Sequence, residues 1–330
     1  MTHATRARTG VVAAGGIAPA GQPTAASSGR TGGPSRFRTW TWPSVGAFAV
    51  FVLPTLTVFT TMVLAPILWT LYIGMTDERA TRSHTSFVGL DNYGYLLGDE
   101  GFRHSLWNTV VITVIVVLLT NLLGLAIALL LRRQGRFYSL LRSVYFTPVI
   151  LSAVVVSVIG RSILADDGLL NSTLVSMGIE NPPGWLTDPS YAIYSVSGIM
   201  VWQMLGFAVV VYLAALAGIP AELEEAASLD GAGPWQQFRA ITWPMLAPAL
   251  TINTVMLMIS SFKVYDQIAV LTNGGPGTGG TATVAFDVIR TAFSEQRPGM
   301  ASAMAGIMLV LVSAASVTAL KLLQRREVNL

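Results

Sequence analysis

Cysteine is absent from the 330 residues, which excludes a disulfide framework and a thiolate metal site. Charge is scarce: 11% of the residues are charged against 52% hydrophobic, whereas soluble domains carry about 25% charged residues. Such a chain cannot cover a globular surface with charge, so lipid is the solvent that its composition fits. Histidine is limited to His3, His84 and His104. None of them falls in a long apolar run, so a zinc site and a histidine-based catalytic pair within a membrane are both excluded. No glycine-rich loop ends in Lys-Ser or Lys-Thr, so this chain does not bind ATP in the P-loop manner. The net charge of +3 is small, and no nucleic-acid partner is expected.

Long apolar runs are what the sequence has in quantity. Six of them cover Val45–Met75, Ser105–Leu131, Val144–Leu164, Tyr191–Gly218, Ala249–Leu271 and Ala301–Leu323. At about 1.5 Å rise per residue each can cross a hydrocarbon core of about 30 Å as a helix. None alternates with period two, which argues against strands. The expected fold is therefore an all-α integral membrane protein with six transmembrane helices over residues 44–323. Pro54 and Pro66 predict a tilt or kink in the first span. Residues 1–43 are rich in Gly, Ala, Ser, Thr and Pro, with five arginines and no acid. That composition reads as a disordered tail, since it cannot bury enough apolar surface to offset its ordering entropy. Residues 324–330 form a second short tail.

Six spans put both termini on one side. The tails and the two loops on that side hold thirteen Lys and Arg residues, against five in the opposite loops. The positive-inside rule places both termini in the cytoplasm. Thr76–His104, Ala165–Ser190 and Thr272–Met300 then lie outside.

One cytoplasmic loop breaks the charge trend. Residues 219–247 begin Ile219-Pro220-Ala221-Glu222-Leu223-Glu224-Glu225-Ala226-Ala227-Ser228-Leu229-Asp230-Gly231, with four acids and Arg239 as the single base. Pro220 followed by acids starts a helix, and Gly231, Gly233 and Pro234 end it and allow another to begin. The expected unit is helix, turn, helix, with its first helix over Ala221–Leu229. Its small apolar face beside Glu222 and Glu225 suits either a partner bearing an arginine or packing on the chain's own membrane domain.

Glu225-Ala226-Ala227, then Gly231, Ile241 and Pro244, resembles the "EAA" motif of ABC importer permeases. The stretch around Asp230-Gly231-Ala232 resembles the maltose-type and glycerol-phosphate-type sugar permeases. Trp243 stands where that family usually has leucine. Phe87-Val88-Gly89-Leu90-Asp91-Asn92-Tyr93, Asn108-Thr109, Gly168-Leu169-Leu170-Asn171, Trp185-Leu186 and Leu271-Thr272-Asn273-Gly274-Gly275-Pro276 extend the likeness in order. The last of these strings resembles the type that includes the larger maltose permease chain. The resemblance implies a non-catalytic type I importer subunit in a bacterial cell membrane. It also implies a second permease, two ATP-binding subunits and an extracytoplasmic sugar-binding protein as partners. No cofactor would be bound by this chain, and ATP would be held by the ATPase subunits. Glu222, Glu225, Ala226, Ala227, Asp230 and Gly231 would form the ATPase-coupling surface.

Polar groups inside spans are costly and are functional candidates. The fifth run carries Ser261, Lys263, Tyr265, Asp266 and Gln267, and the fourth carries Trp202, Gln203 and Gly206. Aromatic faces beside hydrogen-bonding groups suit a polyhydroxylated ligand. Trp202, Gln203, Gly206, Ser261, Tyr265 and Asp266 are the candidate substrate path, with Ser261 and Tyr265 expected on one helical face. Packing or an internal Lys263–Asp266 pair would account for the same residues. A secondary transporter would show an internal repeat around carboxylates within the membrane. No such repeat is visible, and that class leaves the acidic loop unexplained.

Overall fold

The computed structural model describes residues 42–81, 84–133, 135–277 and 279–325. The expected N-terminal tail up to residue 41 and the last five residues lie outside the described residues. The chain divides into two units, Met1–Leu56 and Thr57–Leu330. The first contributes only the opening of one helix to what is described.

Helices account for all the regular structure among the described residues; the one extended pairing is an isolated bridge between Thr76 and Phe87. α1 (Trp42–Phe59) passes through a π turn, Thr60–Leu64, into α2 (Ala65–Ile73). Pro66 has no N–H to give the preceding turn, and the wide turn just before it makes room for its ring. α3 (Asp91–Gly98) precedes α4 (Glu100–Leu130), which starts where the Asp99 carboxylate accepts the Phe102 N–H at 2.8 Å. Then come α5 (Arg136–Ile150), α6 (Ala153–Leu164) and α7 (Leu169–Ser176). α8 (Pro189–Ala217) is capped by Asp188, with Pro189 in its first turn. α9 (Ala221–Leu229) and α10 (Pro234–Gln237) lead through a π turn, Phe238–Thr242, to α11 (Trp243–Met245). α12 (Ala247–Phe262), α13 (Asp266–Leu271) and α14 (Val284–Ile289) follow. A last π turn, Arg290–Ser294, precedes α15 (Pro298–Gln324).

Four continuous helical segments are long and apolar enough to cross a membrane: Gly46–Ile73, Glu100–Leu130, Pro189–Ala217 and Pro298–Gln324. Two more crossings are bent pairs, Arg136–Ile150 with Ala153–Ser176 at 102° and Pro234–Met245 with Ala247–Phe262 at 58°. The six expected spans are present if each bent pair counts as one. The third and fifth differ from the straight helices that the apolar runs suggested. The third breaks at Leu151-Ser152, where both residues turn extended. The fifth stops at Phe262 and restarts at Asp266.

Packing centres on α4 and α8. A Cβ added at Gly124 would come within 2.8 Å of the Ala208 Cβ, so small residues let these two backbones approach closely. Ile112, Val116, Val196, Met200, Leu257 and Ile268 fill one end of the core. Leu131, Val209, Tyr212, Leu216 and Leu246 fill the other. The glycine-rich connection after α13 is tied back to α4, where Asn108 donates to the Gly279 and Ala282 carbonyls at 3.2 and 3.0 Å. Thr109 Oγ1 on α4 also accepts the Val284 N–H at 3.1 Å.

Candidate coupling helix and polar path

α9 occupies Ala221–Leu229, the residues its local signals predict. Its end is a Schellman turn: Ala232 N–H donates to the Ala227 carbonyl at 2.9 Å and Gly231 N–H to the Ser228 carbonyl at 3.1 Å. Gly231 sits at φ +78°, the left-handed region where a side chain is strained. Gln237 fastens the turn from beyond it, donating to Ser228 Oγ at 3.0 Å and to the Ala232 carbonyl at 2.9 Å.

The three glutamates of α9 have different fates. Glu224 is held by Arg132, whose Nη2 lies 2.8 Å from both carboxylate oxygens. That contact anchors α9 to the connection after α4. The sequence reading missed it, because the pair is 92 residues apart in the chain. Glu222 and Glu225 are exposed and have no partner among the described residues. Ala226, Asp230 and Gly231 are exposed and Ala227 is half-buried. Leu223 is 42% exposed and Leu229 is 90% exposed. The helix thus shows apolar knobs beside unpaired carboxylates, with no cover among the described residues.

The polar band in the spans divides more sharply. Gln203 is buried and donates to the Leu151 carbonyl at 3.3 Å, while Gln267 donates to Gln203 Oε1 at 2.9 Å. Backbone freed by a broken span must find partners inside the protein. Gln203 supplies one for the break in the third span. Ser261 is also buried, with its hydroxyl turned back on the Leu257 carbonyl at 2.8 Å. Gly206 is where α8 meets α5: an added Cβ would clash with the Tyr145 carbonyl oxygen and lie 2.8 Å from the Phe146 Cα. In this conformation these three candidates are enclosed.

Trp202, 42% exposed, Tyr265, half-buried, and Asp266, exposed, remain accessible. The break at Lys263–Tyr265 separates Tyr265 from the face of Ser261, so the shared face expected for an unbroken helix is not formed. Nor is there a Lys263–Asp266 ion pair among the described residues; both side chains are exposed. The freed Val264 carbonyl accepts from Thr283 Oγ1 at 2.9 Å, and Thr283 also caps α14. Arg161 reaches the Val270 carbonyl at 3.5 Å, beside α13. It helps line a cavity of about 470 Å³ with Asp166, Asp167, Thr187 and Asn273.

Membrane-length helices, broken spans with internally satisfied backbone and an acidic helix exposed between two spans define a multi-pass helical membrane protein. Residues 120–328 match the family described as binding-protein-dependent transport system inner membrane component, and the chain belongs to that family. It is 31% identical over 291 residues to a probable starch-degradation-product transport permease of Thermoanaerobacterium thermosulfurigenes, covering 88% of this chain and 96% of that one. It is 31% identical over 295 residues to a diacetylchitobiose uptake permease of Streptomyces coelicolor, covering 86% and 83%. Its fold matches a chain of a bacterial alginate ABC transporter solved with an alginate-bound periplasmic protein. That match has a TM-score of 0.72 and 22% identity, over 83% of this chain and 92% of that one.

Proposed function

We propose that this chain is the membrane-spanning permease of an ATP-driven importer for a sugar or sugar derivative. In this reading it encloses the path with a second permease, receives sugar from an extracytoplasmic binding protein and is driven by two ATPase subunits. ATP is hydrolysed on those separate chains. Residues 44–323 form the permease domain, both termini face the cytoplasm, and residues 219–247 carry the coupling surface. The observation that carries this reading is α9: capped by its own turn, anchored through Glu224, and exposing Glu222, Glu225, Leu223 and Leu229 with nothing among the described residues over them. The names of the relatives, concerned with starch products and diacetylchitobiose, support a sugar as cargo.

An ATPase cleft that accepts α9 pairs a basic side chain with Glu225. A charge-assisted hydrogen bond contributes about 1.5–3 kcal/mol, a factor of about ten or more in docking. Glu225→Ala is therefore expected to weaken capture of the ATPase subunit about tenfold and to abolish sugar-stimulated ATP hydrolysis in the assembled complex. Pull-down alongside an ATPase assay reads both. Normal transport by the variant complex would remove α9 from the coupling role.

A further inference from the structure

We infer that the recess beyond the break in the fifth span, between α13 and α14, is a binding site for a neutral, polyhydroxylated sugar ring and discriminates against acidic sugars. The inference rests on the sugar-import reading and adds to it a site and a charge class. The recess holds about 480 Å³ and is walled by Tyr265, Asn273, Phe286, Arg290, Phe293 and Ser294. Small-molecule sites commonly span about 300–1,000 Å³ and combine apolar walls with a few placed polar groups.

The aromatic part is built outward from the core. Phe286 is 6% exposed and stacks on Tyr265 at 6.1 Å with 25° between the rings. The Arg290 guanidinium lies 5.9 Å from the Phe286 ring centroid. The buried Phe286 ring thus already has Tyr265 and Arg290 against it, and it holds Tyr265 at the wall. The free aromatic face belongs to Phe293, which is 76% exposed. It stands on the π turn Arg290–Ser294, closed by the Glu295 N–H to the Arg290 carbonyl at 3.0 Å. Such turns occur frequently at functional sites. Here one turn delivers Arg290, Phe293 and Ser294 to the same recess.

The charge balance decides the class of ligand. Arg290 lies 3.0 Å from Asp287 and 3.3 Å from Glu295, so its charge is already matched by two carboxylates. Its remaining N–H groups can donate to hydroxyls, while a carboxylate or phosphate finds no unpaired cation. In the adjoining cavity, which shares Ala269 and Asn273 with the recess, the lining carboxylates Asp166 and Asp167 outnumber the one cation, Arg161. Neither cavity favours an anion. A sugar ring offers CH faces to Phe293 and hydroxyls to Asn273, Ser294 and Arg290.

Saturation-transfer difference NMR on the full-length chain in nanodiscs tests this with maltose, trehalose, N,N′-diacetylchitobiose and digalacturonate. At least one neutral sugar is expected to receive saturation. Phe293→Ala should reduce that signal at least fivefold, Phe293→Trp should restore it, and digalacturonate at equal concentration should show none. Because Phe293 is exposed, its truncation leaves the core intact. An equal signal in Phe293→Ala, a digalacturonate signal matching the neutral sugars, or no signal from any of the four would overturn the site. Uptake of the same sugars by cells carrying the whole transport system separates the two claims. Uptake indifferent to Phe293→Ala sinks the recess and leaves the importer standing. A Phe293-dependent signal without uptake supports the recess and counts against import of that sugar.

Discussion

Asp287 is the only charged side chain that is buried among the described residues, and its surroundings set its titration. Burial pushes its carboxyl above the usual carboxylate range, partly offset by a hydrogen bond from Ser105 and the nearby charge of Arg290. Arg290 Nη2 lies 3.0 Å from Oδ1 but off the hydrogen-bonding direction, so that oxygen has an ion-pair partner and no donor. The folded state therefore takes up a proton more readily than the unfolded chain. The stabilisation from that proton is complete below the unfolded value near 3.8 and is lost as pH rises through the raised folded value. Asp287→Asn removes this dependence. Thermal unfolding of both proteins in detergent between about pH 7 and pH 4 is expected to show the wild type gaining relative to the variant as pH falls. A Tm difference that is flat with pH would place the carboxyl in its ordinary range. The same chemistry explains why Glu224 and Glu225 part company: sequence shows two adjacent acids, and only the fold brings Arg132 to one of them.

At the scale of elements, the two broken spans are joined by side chains. Gln267 after one break donates to Gln203 on α8, which donates to the Leu151 carbonyl at the other. Removing Gln203 alone leaves that carbonyl and Gln267 without these bonds, at a cost of about 1–3 kcal/mol. Gln203→Leu should lower stability in detergent by about that amount, and Gln203→Leu with Gln267→Leu by clearly less than the sum of the single changes. Additive losses would mean that the two amides act independently. These breaks were not legible in the sequence. Ile150-Leu151-Ser152-Ala153 continues an apolar run without a stop signal, and the groups that make the breaks tolerable, Gln203 and Thr283, come from distant elements. Pro148 and Lys263 were the local hints. α9 was legible to the residue because its signals are local: Pro220 ahead, acids in the first turn, Gly231 where a positive φ is required. Of the path, the sequence identified the polar band but not its sorting. Gln203 and Ser261 turn inward while Tyr265 faces the recess, because the break at Lys263–Tyr265 resets the helical face.

For the whole molecule, the coupling role depends on which face of the membrane α9 occupies. The basic residues in the tails and in the loops on the side of α9 outnumber those in the opposite loops thirteen to five, and such asymmetry near span ends sets orientation. α9 itself carries the opposite charge, which the rule tolerates because Asp and Glu contribute little to it. The connection after α4 supplies Arg132 and Arg133, and α5 adds Arg136 and Arg142 in its first two turns; Arg132 is bonded to α9, so the acidic helix and this most basic stretch must share one side. That shared side is expected to be the cytoplasm. A chain without cysteine makes the measurement clean, because a single introduced thiol is the only one to react. Asp230 is exposed at the end of α9 and has no side-chain partner among the described residues, so Asp230→Cys should leave the turn intact. In sealed, right-side-out vesicles an impermeant maleimide is expected to leave this thiol untouched until detergent opens the membrane. A thiol at Glu180, in the connection after α7, should label at once from outside. Labelling of Asp230→Cys in sealed vesicles would invert the topology, put α9 out of reach of any cytoplasmic ATPase and take the coupling role with it.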